Sequence, residues 1–519
     1  MARGRTSPRG EGRTVGANSA AGGRGGGFRD AVADVEYDPM EFGDGEVEGN
    51  LLLDSVVKLY CVHTEPNYSL PWQRKRQFTS TSSAFAIPGR RILTNAHSVE
   101  YNTQVKVKKR GDDTRFLAKV LAISVECDIA LLTVVDENFW EDLHPLDFGP
   151  LPHLQDQVAV VGYPIGGDTI SITSGIVSRV EVTSYTHGAS ELLAIQIDAA
   201  INSGNSGGPV FNSRGQCCGI AFQSLVGDDA ENIGYVIPPP VIQHFLEDFK
   251  RNGEIAGFPV LGIQWQRLES PSLRASLAME AQTTGVLVAK TAPVSDAYAK
   301  LQRGDVIMSF EGVKVSNNGT VPFRSGERIN FSYLVSQHYV GDVVRLTVLR
   351  QKEKMEVEVT LSTPSLLVPV HIGGKMPPYL IVAGLVFTPL CEPYLRSEYG
   401  EHYYTDSPVK LLDAMLHQFP KDATEEVVIL SQVLACDATV GYEEVRNTRL
   451  FKVNGEKVHN LRHLADLVDS VKGDPFLRLE SEYDEVIVLE MSKVAQATAE
   501  TLETHAIPAD RSPDLLSSN

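Results

Sequence analysis

The stretch Asp198-Ala-Ala-Ile-Asn-Ser-Gly-Asn-Ser-Gly-Gly-Pro-Val-Phe-Asn212 decides how the rest of the chain is read. Ser206 stands among glycines in Gly204-Asn-Ser-Gly-Gly208. A serine hydroxyl is a weak nucleophile. It needs a base beside it and donors for the negative charge that its attack creates. Glycines have no Cβ, so they let a backbone turn tightly and bring N–H groups close to a reacting carbonyl. The backbone amides of Gly204 and Ser206 are the expected donors of such an oxyanion hole. Pro209 discourages a following helix. The same residues also suit an ordinary turn, and alone they do not separate a turn from a nucleophile.

Two upstream segments shift the balance. Ile92-Leu-Thr-Asn-Ala-His97 is a short apolar run ending on histidine. Cys127-Asp-Ile-Ala-Leu-Leu-Thr-Val-Val135 reads as a buried strand opening on aspartate. His97, Asp128 and Ser206 then follow the chain order of a chymotrypsin-type triad. An α/β-hydrolase also uses Gly-x-Ser-x-Gly, but it needs a helix after the serine and the order Ser, Asp, His. Pro209-Val-Phe-Asn212 and the β-rich surroundings disagree with both requirements.

The combination of Leu93-Thr-Asn-Ala-His97, Asp128-Ile-Ala-Leu-Leu132, Ser174-Gly-Ile-Val-Ser178, Ala200-Ile-Asn-Ser-Gly-Asn-Ser-Gly-Gly-Pro209 and Asn232-Ile-Gly-Tyr-Val-Ile-Pro238 resembles the Deg/HtrA serine endopeptidases. The likeness runs from about Leu52 to Leu246. Ser203 stands where that family often has proline, and Ser98 where valine is usual; neither touches a catalytic atom. Ser69-Leu-Pro-Trp-Gln-Arg-Lys-Arg76, Gly166-Gly-Asp-Thr-Ile170 and the C-terminal modules are similar to the plant Deg branch associated with the nucleus and nucleolus. The resemblance implies a mostly β fold: a chymotrypsin-like double β-barrel followed by two PDZ-like α+β domains. It also implies a homo-oligomer built from trimers.

The chain has 519 residues, room for three or four domains. A net charge of −19 argues against a broad nucleic-acid-binding surface, which needs clustered Lys and Arg. Six cysteines, with no Cys-x-x-Cys pair, do not read as a disulfide framework. They suit buried thiols in a reducing compartment, and Cys217 and Cys218 should face opposite ways on a strand. No apolar run approaches the roughly 18 residues that cross a bilayer, and the N-terminus shows no apolar core of a secretory signal.

Residues 1–49 are Gly-, Arg- and Ala-rich, then acidic, and are expected to be disordered. Six arginines before Asp30 suit a nuclear or nucleolar arm touching RNA, an organelle transit segment for chloroplast or mitochondrion, or a solvated tail. Few hydroxyl residues, no amphipathic stripe and Glu11 favour the nuclear reading. Residues 50–250 read as short strands in two barrels with a site between them. Trp72-Gln-Arg-Lys-Arg76 lies in a loop that is solvated, an interdomain contact or an import patch. Residues 255–364 form the first PDZ unit, with Leu261, Gly262 and Ile263 as its carboxylate-binding loop. There an extended peptide would add to a strand edge. Residues 366–496 form a divergent second unit with an insertion at Ser397 to Glu426, for which an assembly role is favoured over peptide binding. Residues 497–519 read as a polar tail. His459 and His463 share helical spacing but lack a third ligand, so no metal site is expected, and no cofactor.

The chemistry expected is ATP-independent cleavage of unfolded protein. Ile201, Ala221, Phe222 and Gln223 should line the specificity pocket, which contains no acid and so suits small or medium apolar side chains. No phosphate-binding Gly-x4-Gly-Lys-Ser/Thr motif is present to couple ATP. The rival outside enzymology is a peptide-binding scaffold or holdase with an inactive protease domain.

Overall fold

The computed structural model describes residues 52–185, 190–227, 230–324, 326–471 and 473–516. The N-terminal arm, with every reading attached to it, lies outside them. The first six strands are β1 (Val56–His63), β2 (Phe78–Ile87), β3 (Arg91–Thr94), β4 (Asn102–Lys108), β5 (Phe116–Ser124) and β6 (Ile129–Val134). They close a barrel in the order β1-β2-β3-β6-β5-β4. The alternation along β1 explains how it is placed. Val57, Leu59 and Cys61 enter the barrel core, while Val56 joins the cluster shared with the second barrel.

The second barrel is built from β7 (Gln157–Gly162), β8 (Ser171–Ser184), β9 (Glu191–Ile197), β10 (Pro209–Asn212), β11 (Cys217–Gly227) and β12 (Ala230–Ile237), in the order β10-β11-β12-β9-β8-β7. Cys217 and Cys218 do face opposite ways, Cys217 to the shared cluster and Cys218 into the barrel.

Helix α1 (Pro239–Asn252) leaves the protease and ends on Gly253 in the left-handed region at φ 73°. Ile242 and Phe245 of α1 lie in a core continuous with Phe258, Leu261 and Val286 of the next unit. His244 is sandwiched there between Phe258 and Tyr339, with ring centroids 4.2 and 4.4 Å away. The first PDZ sheet runs Ile263–Arg267, Val286–Thr291, Val306–Phe310, Val343–Arg350, Glu353–Thr360. Ile263–Arg267 therefore has an open edge.

The second PDZ sheet runs Leu380–Val382, Leu385–Pro389, Val428–Val433, Thr448–Val453, Phe476–Ser481, Val486–Glu490. Helix Glu392–Tyr399 leads into its inserted segment, which holds helix Val409–His417; Tyr394, Leu395 and Leu411 of the two pack with Tyr68 of the protease. The residues read as a tail from 497 onward are instead docked. Helix Met491–Thr504 continues through Ala497, Arg511 pairs with Asp469 at 2.7 Å, and Arg511 bridges Leu380. Apolar Leu502 and Ile507 account for this, because they pack on Tyr379 and Ile381.

Among the readings of the 72–76 loop, the structure favours a contact. Trp72 sits edge-on to Tyr379 at 5.7 Å, Gln432 donates to the Ser69 carbonyl at 2.5 Å, and Ser69 bonds Glu398. Gln73 to Arg76 remain exposed. Trp72→Ala should remove about 1–2 kcal/mol from this junction, since the indole is half-buried. Hydrogen exchange should accelerate at Tyr379–Val382 and be unchanged on β7; equal protection in both proteins would remove Trp72 from the junction.

Candidate active site

Asp128 is fully buried at the start of β6, with φ 52°. Aspartate tolerates this left-handed conformation better than most residues. A buried carboxylate needs donors. Here the His97 amide donates to Oδ1 at 3.0 Å, and His97 Nδ1 lies 2.7 Å from Oδ2. The backbone and ring of one residue thus hold both oxygens, and they fix the imidazole with Nδ1 toward the carboxylate. Asn95 donates to the Asp128 carbonyl at 3.0 Å and ties the two loops together.

Ser206 occupies the turn before β10, half-buried. The first barrel holds this turn by its carbonyls. Ser83 Oγ donates to Gly204 O at 2.7 Å, Ser83 N–H to Ser206 O at 3.0 Å, and Ser82 Oγ to Ser206 O at 2.7 Å. Thr94, three residues before His97, donates to Ser83 O at 2.8 Å. The histidine loop and the serine turn are therefore clamped to the same two residues of β2. Sequence reasoning missed Ser82 and Ser83. The only signal was the hydroxyl run Thr79-Ser-Thr-Ser-Ser83 on a strand that turns apolar at Ala84.

The Ser206 hydroxyl points to Phe222 O, at 3.5 Å, and makes no other hydrogen bond among the described residues. His97 and Asp128 are brought into one pair, and the Ser206 turn is tied to the histidine loop through Ser82 and Ser83, with its hydroxyl turned toward β11. The amides of Gly204 and Ser206 donate to no acceptor among the described residues. Glycine is required at both positions after Ser206. A Cβ on Gly207 would lie 2.2 Å from Ser83 O, and one on Gly208 2.1 Å from Val161 O.

The four residues expected to line one pocket do not share a face. Ile201 and Ala221 lie together in the second barrel's core. Phe222, the extra residue at a β-bulge in β11, points the other way, stacked on Tyr185 at 4.7 Å. The Gln223 side chain lies outside the described residues. In the first PDZ unit, Leu261, Gly262 and Ile263 line a cavity of about 610 Å3 with Trp265, Phe331 and Val335. In the second, the corresponding strand Leu385–Pro389 has no free edge, because Leu380–Val382 pairs with it. His459 and His463 do not share a ligand site; they engage Asp422 at 2.9 Å and Glu456 at 3.3 Å. Among the described residues no helix is long and apolar enough to cross a membrane.

Burial pulls the His97 imidazole toward its neutral form. The Asp128 charge and hydrogen bond outweigh that pull and leave its pKa above the ordinary histidine value. Asp128→Asn removes the two largest opposing influences and leaves burial against the weaker field of Glu100. The His97 pKa, read by NMR of labelled histidine, should then cross from above about 6.5 to below it; an unchanged value would deny Asp128 this influence.

Models of known families match three parts of the chain: a trypsin-like peptidase domain at residues 82–220, and PDZ domains at 259–361 and 368–514. Protease Do-like 2, chloroplastic, of Arabidopsis thaliana is 51% identical over 487 residues, covering 94% of this chain and 78% of its own. Protease Do-like 4, mitochondrial, of the same plant is 42% identical over 457 residues, covering 88% and 84%. These names overturn the nuclear and nucleolar reading. The arginine-rich, acid-poor composition before Asp30 is also that of an organelle transit segment, and a weak lack of hydroxyl residues was not enough to exclude it. With such identity across nearly its whole length, and a peptidase domain followed by two PDZ domains, the chain belongs to the Deg/HtrA family of serine proteases.

Proposed function

We propose that this serine endopeptidase cuts unfolded protein segments with Ser206 as nucleophile, His97 as base and Asp128 as the group that orients it. Ser206 Oγ attacks the peptide carbonyl, and His97 takes its proton through Nε2 and then delivers it to the leaving amine. Asp128 holds the tautomer and stabilises the imidazolium. The free amides of Gly204 and Ser206 receive the oxyanion. What carries the reading is the His97–Asp128 pair, with both carboxylate oxygens engaged, beside the clamped Ser206 turn. In the resting arrangement the hydroxyl faces Phe222 O, so rotation about the Ser206 side chain precedes attack.

Ile201 and Ala221 form the apolar side of the specificity pocket, which selects small or medium apolar side chains. The open edge of Ile263–Arg267 and the cavity at Leu261, Gly262 and Ile263 suit capture of an extended peptide and its terminal carboxylate. The second PDZ unit, whose strand edge is filled, serves assembly of a homo-oligomer. The relatives' names support a chloroplast or mitochondrial location for this chain.

Ser206→Ala should reduce digestion of an unfolded protein by about 10^4-fold or more. Undiminished digestion would leave the scaffold or holdase reading in its place. Because His97 must be neutral to act and its pKa is raised, kcat/KM should rise with pH through a midpoint above about 6.5. A rate flat from acid to neutral pH would exclude His97 as base.

A further inference from the structure

Lys58 is a lysine almost wholly withdrawn from water, with 7% of its side chain exposed. Lysines are rarely buried without a partner, because desolvating the ammonium is costly. Lys58 lies on β1 directly opposite Ser83 on β2, so the two side chains leave the first barrel from the same face. That face meets the second barrel. Ser83 Oγ accepts from Tyr163 N–H at 2.7 Å as well as donating to Gly204. Lys58 Nζ donates to Gly167 O at 2.6 Å and pairs with Asp168 Oδ1 at 2.7 Å. Tyr60 OH also reaches Asp168, at 3.4 Å. The segment Tyr163-Pro-Ile-Gly-Gly-Asp168 is thus tied to the first barrel at both ends.

What lies between the ties matters for the reaction. The Ile165 N–H donates to Ser203 O at 2.8 Å. A trans peptide is planar, with its C=O and N–H on opposite sides. Holding the Ser203 carbonyl toward Ile165 therefore turns the Gly204 N–H away from Ile165, and that N–H has no acceptor among the described residues. The fit is tight: a Cβ on Gly204 would lie 2.6 Å from Tyr163 O and 2.7 Å from Ile165 N. A flip of the Ser203–Gly204 peptide would break the Ile165 bond and put a carbonyl where the donor stands.

We propose that Lys58 is a positioning residue for the oxyanion hole: from the first barrel it pins Gly167 and Asp168, and through Ile165 it keeps the Gly204 N–H presented to the substrate. This rests on the assignment of Ser206 and Gly204 made above. Lys58 touches no reacting atom. Its effect falls on the transition state, where charge builds on the carbonyl oxygen, and not on ground-state binding.

The test is steady-state kinetics of the full chain on a short fluorogenic peptide, with melting temperature measured in parallel. Removing one oxyanion donor costs about 10^2–10^3 in kcat. Lys58→Met, which keeps the stem and loses the ammonium, should lower kcat by about 10- to 100-fold, with KM within about twofold and the pH midpoint unchanged. Asp168→Ala, at a side chain 64% exposed that folding tolerates, should lower kcat in the same direction by about threefold or more. A structural role alone would lower the melting temperature and leave kcat intact. If kcat stays within about twofold of the parent in either variant, or if only KM moves, the proposal is overturned. Ser206→Ala separates the two failures: an inactive Ser206→Ala beside a fully active Lys58→Met sinks only the role of Lys58, whereas an active Ser206→Ala sinks the protease assignment itself.

Discussion

The grip of β2 on the Ser206 turn is the constraint on which the site depends. Gly204 and Gly207 both adopt positive φ, 99° and 83°, within two successive turns closed by Asn205 N–H to Asn202 O at 2.9 Å and Gly208 N–H to Asn205 O at 3.0 Å. The placement of this segment against the first barrel comes from Ser82 and Ser83, which reach across the seam between barrels to the carbonyls of Gly204 and Ser206. Each such bond contributes about 1 kcal/mol net, but leaving the buried partners unmade costs more. The seam is therefore all-or-none, and the distance between His97 and Ser206 is set by how two barrels pack rather than by either loop. The packing around Gly207 and Gly208 leaves no room for a side chain to loosen it.

The two PDZ units differ in what happens at a single strand edge. Ile263–Arg267 ends its sheet, so its outer edge has no partner strand among the described residues, and its Ile263 and Trp265 line an apolar cavity. In the second unit Leu380–Val382 folds back as a hairpin on Leu385–Pro389, with Ala383 at φ 57° making the reversal. The C-terminal segment then pairs with Leu380 from outside. Helices Glu392–Tyr399 and Val409–His417 bury Tyr394 and Leu411 against Tyr68, so this unit is welded to the protease instead of being left free to sample ligands.

Much of this was legible in the residues. Short apolar runs marked the strands of both barrels, and the chain order of His97, Asp128 and Ser206 marked the candidate site, of which the structure pairs His97 with Asp128. Parity on a strand correctly split Cys217 from Cys218. Ala221 and Phe222 split as well, but at a β-bulge in β11; the motif suggested proximity and the bulge overrode it. Ser82 and Ser83 carry no signal of their own, since a serine on a strand is ordinary until its partner across the seam is known. The docking of residues past Ala497 depended on Leu502 and Ile507 finding Tyr379, a contact more than a hundred residues away in sequence. Location could not be read from bulk composition, because a transit segment and an Arg/Gly arm share most of theirs.

The cysteines carry a separate consequence. Cys61, Cys127, Cys217, Cys218 and Cys391 are buried, and burial pushes the thiols of Cys61, Cys217 and Cys391 up to about 12. The nucleophilic, oxidisable form of a cysteine is the thiolate, and at neutral pH these side chains hold almost none of it. Cys127 sits beside Asp128 and is raised in the same way, so peroxide or an alkylating reagent finds no reactive sulfur next to the carboxylate. Among the described residues Cys436, half-buried and far along the chain in the second PDZ unit, is the sulfur most open to such chemistry. The peptidase barrels thus hold their sulfurs in the protonated, weakly nucleophilic form.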